Sequence, residues 1–275
     1  MSFDFPPALL FCPADRPDRF DKAAERSPAV ILDLEDAVRP NDKAAARQAL
    51  VAHPLDPNRT IVRVNPVDSP DFRLDVEALE RTEYRFVMLA KAESASQLRA
   101  LDGFAVIALC ETAAGVIAAN SLAAHESVVA LMWGAEDFVA SIGGSSSRRE
   151  SGQYREVANF ARSAVLIAAG AQRKAAIDAV HLEIDDLAGL SEEARDAAAS
   201  GFSSSACIHP KQVPVILDAY KPGPNEIAWA QGVIGAAVGK RGVFRHEGQM
   251  VDEPVLRHAA SIIRRADSSR KRNAS

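Results

Sequence analysis

Eight short apolar runs alternate along this chain with Ala-rich, charged, helix-compatible stretches, and that alternation restricts the fold more than any other feature. The strand candidates are Ala8–Cys12, Ala29–Leu34, Thr60–Val64, Arg85–Leu89, Ala105–Cys110, Val128–Trp133, Ala175–Leu182 and Ser205–Ile208. Helices are expected between them at about Pro17–Arg26, Asn41–Ala52, Asp71–Leu79, Ser94–Leu101, Thr112–Ala118, Arg155–Gly170 and Glu192–Ser200. Near-continuous apolar runs belong to strands buried on both faces, as in parallel sheets. Eight of them alternating with helices predict either a (β/α)8 TIM barrel or a doubly wound sheet, and the count of eight favours the barrel. No GxGxxG follows the first run, so the usual mark of a dinucleotide fold is missing.

Three further helical stretches follow, near Lys211–Ala219, Pro224–Lys240 and Asp252–Ala266. The expected organisation is a barrel over residues 5–220, a C-terminal helical extension over 221–266 and a disordered tail over 267–275. The basic residues Arg264, Arg265, Arg270, Lys271 and Arg272 read as a frayed, solvated end.

A chain of 275 residues can bury a full core without staples. Its net charge of −5 argues against general nucleic-acid binding, which needs a basic surface. Cys12, Cys110 and Cys207 are an odd number at wide spacings, which fits neither a disulfide framework nor a structural zinc site. Residues Met1–Phe5 show no basic segment leading into an apolar one, and no apolar run approaches the roughly 18 residues of a membrane helix. The expected setting is a reducing cytoplasm with no membrane partner.

Ionisable groups gather at the C-terminal ends of the strand candidates. Asp33, Glu35 and Asp36 follow the second run, Arg63 the third (with the polar Asn65 beside it), Lys91 the fourth, Glu111 the fifth, Glu136 and Asp137 the sixth and His209 the eighth. In a barrel these ends share the face that carries active sites. Charges beside apolar runs are costly unless paired or metal-bound. Any one of them is also what an ordinary strand-to-loop transition would show; the set points to a site.

Glu111 and Asp137, two acids from neighbouring strands, suit a magnesium ion, which takes one or two carboxylates and completes its shell with water and substrate oxygens. A structural ion pair with Arg63 or Lys91 is the competing reading. The planar fork of Arg63 suits a substrate carboxylate, or merely neutralises Asp33 or Glu35. Gly134-Ala135 permits close backbone approach to a ligand, or simply makes a tight turn. Gly143–Arg149 reads as a mobile loop on the same face, able to clamp a phosphate. Arg16 and Arg19 could meet the phosphates of a long ligand where the first helix opens. The cysteines read as small buried hydrophobes, and His209 as a structural hydrogen-bond partner. GxSxG, HExxH and Walker A motifs are absent.

The ordered set Phe11-Cys12-Pro13-Ala14-Asp15-Arg16-Pro17-Asp18-Arg19-Phe20, Asp33-Leu34-Glu35-Asp36-Ala37-Val38, Arg63-Val64-Asn65, Met88-Leu89-Ala90-Lys91, Glu111-Thr112-Ala113-Ala114-Gly115, Trp133-Gly134-Ala135-Glu136-Asp137, Ile208-His209-Pro210-Lys211-Gln212 and Gly248-Gln249-Met250-Val251-Asp252-Glu253-Pro254 resembles the HpcH/HpaI aldolase and citrate lyase β-subunit family. It is similar in particular to the short citrate-lyase-β-like proteins of actinobacteria. Ala90 departs from the family's usual Pro before the Lys.

The resemblance implies a barrel, usually trimeric, with Mg2+ on Glu111 and Asp137. It implies that Arg63 binds the carboxylate of an α-keto acid such as oxaloacetate, pyruvate or glyoxylate. It also implies a thioester on coenzyme A or on an acyl carrier protein, and an extension whose Asp252 enters a neighbouring subunit's site as acid or base. The activity expected is carbon–carbon lysis of a β-hydroxyacyl thioester. In it Glu35 or Asp36 would position water or the outer shell of the metal, and Lys91, Gly134, Ala135 and Arg16 would line the substrate. An acyl-carrier-dependent lyase subunit, a non-catalytic ligand-binding barrel and a Schiff-base aldolase using Lys91 stand as alternatives.

Overall fold

The computed structural model describes residues 3, 5–240 and 242–274, without the side chains of 268 and 270–274. Eight strands, β1 (Ala8–Pro13), β2 (Ala29–Asp33), β3 (Thr60–Val64), β4 (Phe86–Leu89), β5 (Ala105–Cys110), β6 (Val128–Trp133), β7 (Ala175–Asp178) and β8 (Ser204–Cys207), close in sequence order into a parallel barrel. This is the (β/α)8 architecture that the alternation predicts. Successive side chains along a strand point to opposite faces, so every second residue enters the barrel. Leu9, Ile31, Ile61, Met88, Ile107, Leu109, Met132, Ile177 and Ala206 fill it, and Phe3 stacks edge-on against Phe5 and Phe86 at 4.8 and 4.7 Å.

The same period fixes what comes after the apolar layers. Two residues beyond Ile31 stands Asp33, beyond Ile61 Arg63 and beyond Leu109 Glu111. The charged groups are thus the next inward positions of the strands that build the core. Between β5 and β6 the register shifts once: Val106 pairs with Val128 but Ile107 with Ala130, leaving Val129 as an extra residue. From there the pairing is regular to Cys110 opposite Trp133.

The helices that follow the strands are α1 (Phe20–Arg26), α2 (Lys43–Ala52), α3 (Phe72–Leu79), α4 (Ala113–Ala123), α5 (Ala135–Ser141), α6 (Glu156–Ala171), α7 (Leu187–Ser200) and α8 (Val213–Ala219). The helix expected over Ser94–Leu101 is only a 3-10 turn at Gln97–Leu101. There the Gln97 side chain accepts from the Glu93 and Ser94 N–H groups, and Ser94 bonds Ser96, local bonds that compete with helix formation. The apolar run at Ala175 leaves the strand at Asp178, not at Leu182, because Asp178 turns to side-chain partners. Helix α5 was not anticipated.

The chain divides between Ile216 and Leu217 into two compact units. The second holds α9 (Pro224–Ala237), an unanticipated hairpin of β9 (Phe244–His246) and β10 (Gln249–Val251), and α10 (Glu253–Ala274). Ala230, Val233, Val251, Ala259 and Ile262 form its own core. Helix α10 continues through 267–274, where a frayed tail was expected, since no Gly or Pro interrupts the sequence after Pro254; residue 275 lies outside the described residues. Among the described residues no helix is long and apolar enough to cross a membrane.

Candidate active site

Asp33 and Arg63 are direct register partners at the ends of β2 and β3. Asp33 is 1% exposed and saturated. It accepts from Arg63 Nε at 2.7 Å and Nη2 at 2.6 Å, and from the backbone N–H groups of Glu35 and Ala37 at 2.9 and 3.1 Å. Burial would lower the basicity of Arg63, but Asp33, Glu35 and Glu111 outweigh it and keep the guanidinium charged. Phe11, the inward residue of β1, lies 5.0 Å beneath it. A charge so enclosed tolerates loss of its partner badly, at about 3–5 kcal/mol. Asp33 uses only the Nε/Nη2 edge of the fork. The other edge, whose Nη1 lies 3.1 Å from Glu35 Oε2, can meet a second carboxylate.

Glu111, 3% exposed, is the inward residue after β5. Two features hold it. A Cβ at Gly134 would stand 2.8 Å from Glu111 Cβ and 2.9 Å from its Oε2, so only glycine lets the end of β6 pass the carboxylate. The backbone N–H of Lys91 donates to Glu111 Oε1 at 3.0 Å, and it does so from a left-handed conformation, φ 49°, that a side chain adopts at a cost of about 1–3 kcal/mol. Burial, reinforced by Asp137, pushes the Glu111 carboxyl up to about 8, although Arg63 and Lys91 pull it down. Asp137 stands in the first turn of α5 with its side chain 40% exposed.

Lys91 Nζ lies amid four acids: 2.6 Å from Glu35 Oε1, 3.6 Å from Asp137, 3.7 Å from Asp36 and 4.0 Å from Glu111. Burial opposes its charge, but the bond to Glu35 and the fields of Glu111 and Asp137 outweigh it and raise its pKa. An amine held protonated is a poor nucleophile, which weighs against Schiff-base chemistry. Burial likewise lifts the Glu35 carboxyl above its ordinary range, against Arg63 and Lys91. Asp36 is more exposed and gives its N–H to Glu35 Oε2 at 2.9 Å. Among the described residues no three His, Cys, Asp or Glu side chains converge as metal ligands. Glu111 and Asp137 are a pair of oxygen donors, enough for a hard dication that draws the rest of its shell from water and substrate.

A supporting layer escaped the sequence reading. Lys43 Nζ, buried at the start of α2, donates to the carbonyls of Leu34 and Glu35 at 2.9 and 3.1 Å and to Asn65 Oδ1 at 2.6 Å. Asn65 passes the connection to Asp75, which Arg47 holds at 3.0 Å. The Asp33–Asp36 turn is thereby pinned from below. An Asn directly after the Arg63-Val64 strand end was the available signal; a lysine in a helix start gave none.

The remaining expected residues have these surroundings. Arg16 is paired with Asp18 at 3.0 Å in the open. Ala135 is buried at the start of α5. The segment Gly143–Arg149 is tied down, not a free phosphate clamp: Ser147 is buried and bonds Glu136 at 2.5 Å, and Arg148 grips Glu193 and covers the Tyr154 ring at 3.9 Å. It borders a cleft of about 800 Å3 whose floor is Asp178, held by Trp133 Nε1 at 2.6 Å and by Arg162. His209 Nδ1 accepts from the Lys211 N–H at 3.2 Å, the structural role expected. All three cysteines are free and buried. Asp252 belongs to the second unit, where its Oδ1 accepts from the Val255 N–H at 3.2 Å and caps α10.

Residues 8–210 match the HpcH/HpaI aldolase/citrate lyase family. A citrate lyase subunit beta-like protein of Mycobacterium tuberculosis is 55% identical over 260 residues, covering 94% of this chain and 95% of that one. The mitochondrial citramalyl-CoA lyase of Homo sapiens is 30% identical over 300 residues, covering 96% and 86%. The crystal structure of the M. tuberculosis protein CitE in complex with magnesium, acetoacetate and coenzyme A superposes with a TM-score of 0.92 at 55% identity, over 95% of this chain and 98% of that one.

Proposed function

The chain belongs to the HpcH/HpaI aldolase/citrate lyase family, and from that premise we propose that it is a magnesium-dependent carbon–carbon lyase for a β-hydroxyacyl thioester of coenzyme A. Citramalyl-, malyl- and hydroxymethylglutaryl-coenzyme A are the substrates to consider, each giving an acyl-coenzyme A and an α-keto acid or ketone. The observation that carries this reading is that Lys91 Nζ stands within 4.0 Å of both Glu111 and Asp137, with the buried Arg63 in the field of Glu111.

The residues fit the ion. Glu111 is a carboxyl that burial pushes up to about 8 despite Arg63 and Lys91, and Lys91 leans toward both acids without bonding either. Magnesium held there supplies a Lewis acid for the β-oxygen of the substrate. Arg63 would bind the distal carboxylate through its Nη1/Nη2 edge and counter the charge that develops on cleavage. Its fixed bidentate hold on Asp33 keeps that edge oriented. Glu35 or Asp36 would position water or the outer shell of the metal. Asp252 of a neighbouring copy in a homotrimer would deliver a proton to the enolate carbon, or remove it in the condensation direction.

The test is turnover of the three thioesters by the purified protein with magnesium. Cleavage of one of them is expected, with Glu111→Ala and Asp137→Ala each at least 100-fold slower. An unchanged rate in either variant with metal still bound stoichiometrically would refute the assignment.

A further inference from the structure

Lys91 reaches into the same acid cluster as the proposed metal pair. Its ammonium makes one hydrogen bond, to Glu35 at 2.6 Å, and stands 3.6 and 4.0 Å from Asp137 and Glu111 without bonding them. It shares their field. A dication between those two acids would face a positive charge a few ångströms away, and like charges at that range repel strongly in a partly buried site. The stem of Lys91 is 30% exposed and flexible, so the head can withdraw toward Glu35 and Asp36 without unbinding from the acid cluster. Its backbone does the opposite work: the strained turn at φ 49° aims its N–H at Glu111 Oε1 and holds that carboxylate inward.

We propose that Lys91 is a resident counter-ion of the acid cluster that keeps metal binding weak and exchangeable, its backbone holding the ligand while its ammonium competes with the metal. This rests on the reading of Glu111 and Asp137 as the metal pair. The sign of the effect separates the idea from a structural role. A lysine that merely supported the site would weaken metal binding when removed; a competing cation strengthens it.

The test is titration of the full-length, metal-free protein with Mn2+, following free Mn2+ by its electron paramagnetic resonance signal, with no substrate present. Lys91→Met should bind at least 10-fold more tightly than wild type, and Lys91→Arg, which keeps the charge, should stay within about threefold of it. Lys91→Gln serves in place of the Met variant if that one does not fold. Equal or weaker binding by the neutral variant, with wild type binding normally, overturns the proposal. Wild-type uptake that survives Glu111→Ala unchanged overturns instead the metal reading beneath it, and the proposal with it.

Discussion

Glu111→Gln should make the metal-free protein more stable, and by an amount that grows with pH. The buried carboxyl titrates at about 8 in the folded chain against an ordinary 4.5. A carboxyl raised in this way binds its proton more tightly folded than unfolded. Its ionisation therefore subtracts nothing below pH 4.5 and subtracts progressively more up to about pH 8. Each pH unit within that window costs roughly 1.4 kcal/mol, so the full effect is about 5 kcal/mol. The isosteric amide cannot ionise and escapes it. Glu35 and Asp137 remain in both proteins, so the difference reports Glu111 together with its coupling to those neighbours. Denaturant unfolding with chelator present, at pH 5, 7 and 9, reads the difference directly. The two proteins should be within about 1 kcal/mol at pH 5, and by pH 9 the variant should lead by about 3–5 kcal/mol. A gap that does not change with pH would refute the argument that Glu111 is a desolvated acid awaiting a cation.

Two further outcomes follow from the geometry. Gly134→Ala drives a methyl to 2.8 Å from Glu111 Cβ and should cut turnover at least 100-fold while costing about 1–3 kcal/mol in a denaturant melt. Asp252→Asn keeps a helix-capping oxygen, so the melt should move by less than about 0.5 kcal/mol, while steady-state turnover collapses if the carboxyl transfers a proton.

The barrel was legible because its signal is long-range and redundant: eight short apolar runs, each followed by a helix-compatible stretch. The charged residues were legible for a related reason. Asp33, Arg63 and Glu111 sit two residues past core positions of their strands, and a period of two needs no tertiary information. What the pattern could not carry was which partner each charge would choose. Arg63 divides itself between Asp33 and Glu35, the first a choice made by register across two strands. Lys43 reaches the site from a helix start, and α5, seven residues long, is too short for a periodicity to announce. The segment at Gly143–Arg149 has the composition of a loose loop, yet Ser147 and Arg148 anchor it through Glu136 on α5 and Glu193 on α7.

The extra residue at Val129 gives the site an address far from its chemistry. It lies near the start of β6, yet it decides that Gly134, and no bulkier neighbour, arrives opposite Glu111 at the other end. The spacing of the two acids is therefore written in the floor of the barrel. Redesign confined to the mouth would be adjusting the hands of a clock whose gearing sits below, and strand slippage near Val106 and Val129 offers a separate handle on what the mouth can hold.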